Sequence, residues 1–334
     1  MRALSMQELC GLLGDSRGRR VVITFHTIGD RDAVGSAMAL ASYFVNASVV
    51  TPDFITANAR HMLSTLGLSG KVTGKLPDNT EVVIVCDANN TYALADMGQR
   101  ILEKGTELLF IDHHAPHDGG RAQDSIFNDE SYNSTASIVY DALKLLGSDI
   151  AKETAVLLLN GIIADSADLQ NSSPLTFRQI AELLETAGMT FSFVAQHFKA
   201  EVPTANRYRV IRDVFSAHAE MVGKYVLVYG KASEHANVVA DAALRLDCDA
   251  SVFWTASASE ASMSARLRSP CDKELQIHLG AVMEDIGPML GGEGGGHACA
   301  AGAYGPDREK AEQACMEAVR QIKDKMISSL GKGE

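Results

Sequence analysis

Three short apolar runs in the first third of the chain end in side chains able to hold a metal ion. RVVITFH (20–26) ends at His26, with Asp30 and Asp32 just beyond; EVVIVCD (81–87) ends at Asp87; ELLFIDHH (107–114) ends in Asp112-His113-His114. Carboxylate oxygens mixed with imidazole nitrogen suit Mn²⁺, Mg²⁺, Co²⁺ or Fe²⁺, and the lack of cysteine among them argues against a structural zinc site. Asp30 and Asp32 flank a single residue, so in an extended turn they point to opposite sides and can serve two ions. A fourth aspartate, Asp165, stands in NGIIADSADL at the end of an apolar helical run. Four carboxylates gathered in one place repel one another unless cations lie between them, and two divalent ions offset that charge.

The elements that must position these groups follow from hydrophobic patterning. The three runs are of strand length and apolar throughout, and the stretches between them, such as 32–44 and 57–68, carry apolar residues at helical spacing. Strands of this kind alternating with helices predict a parallel sheet covered on both faces. Ligands of such open sheets bind beyond the carboxyl ends of the strands. Three adjacent strand ends therefore place the groups around one crevice. Residues 134–187 read as mostly helical, and 190–221 as a helical connector with Pro203 near its middle. A second α/β pattern starts at KYVLVYG (224–230) and runs through HANVVADAALRL, DASVFWTA and ASMSARLR. It continues in a helix near 273–286, a loop GGEGGGH (291–297), the strand-like ACAAGAY and a terminal helix from 307. The divisions expected are 1–188, a connector 189–221, and 222–330.

The loop GGEGGGH has no following Lys-Ser/Thr and is not a P-loop. Followed by His297 and a strand of small residues, it fits a backbone that must approach a ligand closely. Arg266 and Arg268, in SARLRS, are the guanidinium candidates for a phosphate, sharing one face if that segment is a strand. Trp254, Met38, Met62 and Met283 read as core fillers, and His117 as an exposed loop histidine.

Composition limits the partners. With 334 residues, 46% hydrophobic and 22% charged, the chain has an ordinary globular balance and room for two domains. A net charge of −12 disfavours broad clamping of long duplex nucleic acid or an anionic membrane, but not a short anionic substrate held locally. The six cysteines are scattered, with no C-x-x-C pair, and read as reduced thiols. The amino terminus has no signal-peptide pattern and no apolar run approaches the ~18 residues needed to span a bilayer, so a cytoplasmic protein without membrane association is expected.

HTIGDRDAVGSAMAL, VIVCDANN, FIDHHAP and GIIADSADL resemble motifs one to four of the DHH phosphoesterase superfamily, and GGEGGGHACAAGAY resembles the Gly-Gly-Gly-His signature of its DHHA1 carboxyl-terminal domain. The motifs stand in the right order along nearly the whole chain. The resemblance implies an α/β fold, a parallel-sheet DHH domain with helices on both faces plus a smaller α/β DHHA1 domain, with the active site in the cleft between them. It implies two divalent metal ions, Mn²⁺ first and Mg²⁺ or Co²⁺ as substitutes. His26 and Asp30 would bind the first and Asp32 the second, Asp87 would bridge, and His113 and Asp165 would complete the second site. His114 would face the substrate phosphate and Asp112 would orient a neighbouring histidine. His297 and the amides of Gly295 and Gly296 would lie near another phosphate. Gly29 stands where the family commonly has proline, which loosens the loop but removes no ligand.

Among DHH proteins, pyrophosphatases carry a different carboxyl-terminal domain, RecJ-like exonucleases add further domains, and membrane-bound cyclic-dinucleotide phosphodiesterases have transmembrane segments. The resemblance that is left is to stand-alone nano-RNases that degrade very short single-stranded oligoribonucleotides and dephosphorylate 3′-phosphoadenosine 5′-phosphate (pAp); a homodimer is compatible with it. The alternatives are a soluble phosphodiesterase for cyclic di-AMP or pApA, and, from another class, a catalytically inactive nucleotide-binding sensor. The intact set of six ligands speaks against the sensor.

Overall fold

The computed structural model describes the chain except residues 104, 116–120, 167–168, 170, 270 and 332–334; the expected loop histidine His117 therefore lies outside the described residues. The chain divides into two compact units, Met1–Glu201 and Val202–Glu334.

In the first unit the strands are β1 (Arg2–Ala3), β2 (Arg20–Phe25), β3 (Asn46–Val50), β4 (Val72–Thr73), β5 (Val82–Cys86), β6 (Leu108–Asp112) and β7 (Ser125–Asn128). They form one sheet in the order β1-β7-β6-β5-β2-β3-β4, with every neighbouring pair parallel. The expected parallel sheet is present, with four strands the sequence reading did not single out: β1, β3, β4 and β7. Its helices are α1 (Met6–Asp15), α2 (Arg31–Ala41), α3 (Ala57–Thr65), α4 (Ala95–Glu103), α5 (Thr135–Leu145), α6 (Lys152–Asp165), α7 (Pro174–Ala187) and α8 (Phe191–His197).

Both faces of the central strands are buried, which is why these runs are continuously apolar rather than alternating. Ile23, Phe25, Ile84, Cys86, Leu109 and Ile111 point into the larger core, against α1, α2, α3 and α5–α8. Val22, Val83, Val85, Leu108 and Phe110 point the other way, against Met97 and Ile101 of α4. Helix α6 has ten consecutive buried residues and is a core helix on every side. It packs against α2 through glycines: a Cβ on Gly35 would lie 2.7 Å from the Leu157 carbonyl oxygen, and one on Gly161 would lie 2.6 Å from Asp32 Oδ1.

The second unit comprises α9 (Thr204–Phe215), β8 (His218–Val222), β9 (Tyr225–Lys231), α10 (Ala236–Leu244), β10 (Ala250–Ala256), β11 (Ala261–Leu267), α11 (Cys271–Leu275), α12 (Leu279–Ile286), β12 (Glu293–Gly296), β13 (Ala300–Gly305) and α13 (Ala311–Leu330). Its mixed sheet runs β12-β13-β11-β10-β9-β8, with only β9 and β10 parallel. Helices α11–α13 pack on one face and α9 and α10 on the other.

Two sequence expectations are corrected here, at the helix near 273–286 and in the Gly-rich segment. The helix near 273–286 is two helices, because Gln276 takes a left-handed φ of 51° between them. The 190–221 segment holds α8 in the first unit and α9 in the second, and Pro203 stands directly before α9. The Gly-rich segment contains an edge strand, β12. Its glycines serve packing: a Cβ on Gly294 would lie 1.8 Å from the Met283 carbonyl oxygen, and one on Gly292 would lie 2.1 Å from that of Tyr304. Among the described residues no helix is long and apolar enough to cross a membrane.

Candidate metal centre

Strand order places the site. From β2 the chain moves outward to β3 and β4, then returns to lay β5 on the other side of β2, so the order reverses between these two neighbours. That reversal is where an open α/β sheet forms its ligand crevice. Phe25 pairs with Cys86, so His26 and Asp87 leave the sheet side by side. Asp112 is the last residue of β6, Asp30 is the N-cap of α2 and Asp165 is the last residue of α6. A cavity of about 440 Å³ is lined by His26, Asp30, Asp87, Asn89, Asn90, Asp112, His114 and Asp165, among others.

Asp87 is at the centre. It is buried and holds a left-handed φ of 61°, unusual for a residue with a Cβ; its N–H donates to the Ile111 carbonyl. Its Oδ2 lies 3.2 Å from His26 Nε2. Its Oδ1 lies 3.6 Å from His113 Nε2 and 3.7 Å from His114 Nδ1. Asp30 Oδ2 is 3.9 Å from His26 Nε2, and Asp165 Oδ2 is 3.0 Å from His113 Nε2. Asp30 Oδ1 meanwhile accepts from the N–H groups of Asp32 and Ala33 at the start of α2. Asp32 is fully buried; its two oxygens accept from the N–H groups of Thr135 (2.7 Å) and Ala136 (2.9 Å).

The buried carboxylates and histidines of the site shift one another's pKa values. Burial, together with Asp87 and Asp165, raises the Asp32 carboxyl well above the usual range, and burial beside Asp87 also raises Asp30. Burial works to raise Asp87 as well, but His113 and His26 outweigh it and hold that carboxyl low. For His113 burial opposes the charged form, yet Asp165 and Asp87 raise its pKa far above the ordinary value. His113 Nε2 nevertheless makes no hydrogen bond of good geometry, a buried nitrogen aimed at carboxylates without bonding them. A divalent cation between them would satisfy both sides, so the donor set fits such an ion. Among the described residues three sets are offered, with each member's ligand atom within 4.8 Å of the others': His26, Asp30 and Asp87; Asp32, Asp87, His113 and Asp165; and Asp87, Asp112, His113 and His114. They share Asp87.

His114 is placed differently. Its Nδ1 is 2.8 Å from Asp112 Oδ1, and its side chain is half exposed at the cavity. That hydrogen bond raises its pKa, with burial acting against it. The loop carrying it is pinned by two side-chain amides that sequence reasoning missed. Asn128 Nδ2 donates to the His114 carbonyl and Asn89 Nδ2 to that of Ala115, each at 2.9 Å. Thr135 was missed too, although its Oγ1 lies 3.0 Å from Asp87 Oδ1. Its only local signal is a helix-start pattern, Ser134-Thr135, which speaks of capping and not of metals.

The expected phosphate residues are brought together only in part. A cavity of about 380 Å³ on the second unit is lined by Asn237, Ser262, Ser264, Arg266, Gly295, Gly296 and Gly302, among others. Arg266 is braced by Asp241 (2.6 Å) and by Ser264 Oγ (2.7 Å). Arg268 lies past the end of β11, so strand alternation does not carry it onto the face of Arg266; its guanidinium pairs with Asp249 and Asp247 instead. His297 is exposed and, like Arg268, is not among the lining residues.

Comparison with known proteins agrees with this geometry. Residues 20–162 match the model of the DHH family, N-terminal domain, and residues 222–325 match that of the DHHA1 domain. The chain is 27% identical to an uncharacterized protein of Methanocaldococcus jannaschii, over 90% of this chain and 92% of that one. It is 26% identical to the bifunctional oligoribonuclease and PAP phosphatase NrnA of Thermus thermophilus, over 90% of this chain and 89% of that one. A probable manganese-dependent inorganic pyrophosphatase of Streptococcus agalactiae is 29% identical, but over only 51% of this chain and 56% of its own length. Among solved structures, an exopolyphosphatase-related protein from Bacteroides fragilis superposes with a TM-score of 0.74 over 96% of this chain and 97% of its own. Its identity of 18% makes that a likeness of fold.

Proposed function

The chain belongs to the DHH family and carries its DHHA1 domain, and from that premise we propose that this metal-dependent phosphoesterase uses two divalent cations, manganese first among them, to hydrolyse very short oligoribonucleotides and pAp. The observation that carries the reading is the meeting of donor sets at Asp87. On this reading His26 and Asp30 would hold one ion and Asp32, His113 and Asp165 the other, with Asp87 common to both sets. Two such ions, when bound, polarise phosphoryl oxygens and make water nucleophilic near neutral pH.

The chain's own residues supply the rest. Asp112 engages His114 through Nδ1, which leaves Nε2 for the substrate. His114, its protonated form favoured by the contact with Asp112, is placed to donate to a phosphoryl oxygen and offset the negative charge that grows there as the ester breaks. On the second unit we assign Arg266, Gly295, Gly296 and His297 to the non-scissile part of the substrate. The backbone is open beside Gly295, where the atom closest to an added Cβ would be Glu284 Oε1 at 4.0 Å. Similarity to the bifunctional oligoribonuclease covers 90% of this chain, whereas that to the probable pyrophosphatase covers 51%, which favours a short nucleotide over pyrophosphate.

The test is a Mn²⁺-dependent hydrolysis panel of pApA, a five-mer, a long single strand, pAp, cyclic di-AMP and pyrophosphate. Highest kcat/KM on pApA and pAp is expected. Preference for cyclic di-AMP would move the assignment to a cyclic-dinucleotide phosphodiesterase, and no turnover of any substrate would leave a nucleotide-binding sensor.

A further inference from the structure

Both candidate ion positions depend on the rotation of one carboxylate. Asp87 Oδ2 must face His26 while Oδ1 faces His113. The terminal torsion of an aspartate is soft and turns readily unless something pins it. In the structure as it stands, His26 lies within hydrogen-bonding distance of Oδ2. A histidine that gives that nitrogen to a cation can no longer donate it to a carboxylate. The pin that does not compete with a cation is the neutral hydroxyl of Thr135, 3.0 Å from Oδ1.

Thr135 is suited to that task. It is fully buried and opens α5, and the backbone demands of that helix start are already met: Ser134 Oγ accepts from the Ser137 N–H. The N–H groups of Thr135 and Ala136 go to Asp32. One residue thus holds Asp32 by its backbone and Asp87 by its side chain, more than forty residues from either in sequence. We propose that Thr135 is a positioning residue of the metal centre, its hydroxyl fixing the Asp87 carboxylate so that each oxygen serves a different ion. The proposal rests on the metal-dependent reading above and names a residue through which the fold controls it.

The test compares Thr135→Val, which removes the hydroxyl at nearly constant volume, with Thr135→Ser, which keeps it. MnCl₂ is titrated calorimetrically into the metal-free full-length chain, and pApA hydrolysis is followed separately. Wild type should take up two ions. Thr135→Val should bind at least one of them about 10–100-fold more weakly and lose a similar factor in kcat with little change in KM, while Thr135→Ser stays within about threefold of wild type. Wild-type Mn²⁺ affinity in a folded Thr135→Val, or a Thr135→Ser as weak as Thr135→Val, overturns the proposal. Should Thr135→Val fold only with metal, the Mn²⁺-dependent rise in Tm decides in its place: a smaller rise than in Thr135→Ser supports the role and an equal rise refutes it. A wild-type chain that takes up no Mn²⁺ would instead overturn the metal-dependent reading itself.

Discussion

At the scale of single residues, Asp87 keeps a backbone conformation that costs of the order of 1 kcal/mol or more for a residue with a Cβ, and it keeps it where its carboxylate meets two histidines. Asp87→Ala should therefore abolish Mn²⁺-dependent turnover. Asp112→Asn, which alters the side chain bonded to His114 Nδ1 and to the His113 N–H but leaves the six proposed ligands in place, should cost about 10–100-fold. Rates at saturating Mn²⁺ decide it, with circular dichroism confirming the fold, and near-wild-type rates for both variants would end the assignment. His113 adds a pH dependence. Asp165 and Asp87 outweigh burial and keep it protonated across the neutral range when no cation is present. Metal must displace that proton, so acid favours the competitor and Mn²⁺ affinity should rise with pH, by up to about tenfold per unit for each proton released. Titrations between about pH 6 and pH 8, in buffers of different ionisation enthalpy, should show proton release. A pH-independent Kd would mean that His113 stays out of the coordination shell.

At the scale of elements, the close approach of α2, α5 and α6 makes the site possible. Gly161 of α6 lies directly behind Asp32, where a methyl group would fall 2.6 Å from Oδ1 and 2.7 Å from the Cβ of Ala136. Gly161→Ala should destabilise the chain by about 1–3 kcal/mol through overpacking, and should weaken Mn²⁺ binding because Asp32 is pushed off the start of α5. Gly11 in α1 is the control. It is exposed, helical and has nothing within 4 Å of the added carbon, so Gly11→Ala should stabilise by about 0.5–1 kcal/mol from helix propensity alone. Urea denaturation of the two variants should shift in opposite directions; a loss of stability in both would refute the packing account.

At the scale of the whole molecule, the relevant quantity is charge. At −12, or −8 with two divalent ions loaded, the chain has no general field to attract a long polyanion. Each further phosphate of a longer strand meets a surface richer in carboxylates than in cations and releases few counterions on binding. On the proposed reading, kcat/KM should fall steadily from dinucleotides to strands of about ten nucleotides or more, at fixed near-physiological salt. A rate that rises with length would point to a processive exonuclease and displace the short-substrate assignment.

The division between what was legible in the sequence and what was not follows the range of the interactions. The central strands, the carboxyl-end positions of His26, Asp87 and Asp112 and the helix ending at Asp165 could be read directly, because apolar runs and the polar residues that end them are local patterns. The two-residue strands β1 and β4 exist only because a neighbouring strand pairs with them, so nothing in their own residues announces them. The same holds for the site. That α5 returns about a hundred residues later to take both oxygens of Asp32, and to set a hydroxyl on Asp87, depends on helix packing made possible by glycines at 35 and 161. That Arg268 is claimed by Asp249 while Arg266 reaches the cavity depends on where β11 ends. The donor types were thus determined by sequence alone. Their partners were decided by the tertiary structure, because a hydrogen bond or ion pair between distant residues leaves no periodic trace in either segment.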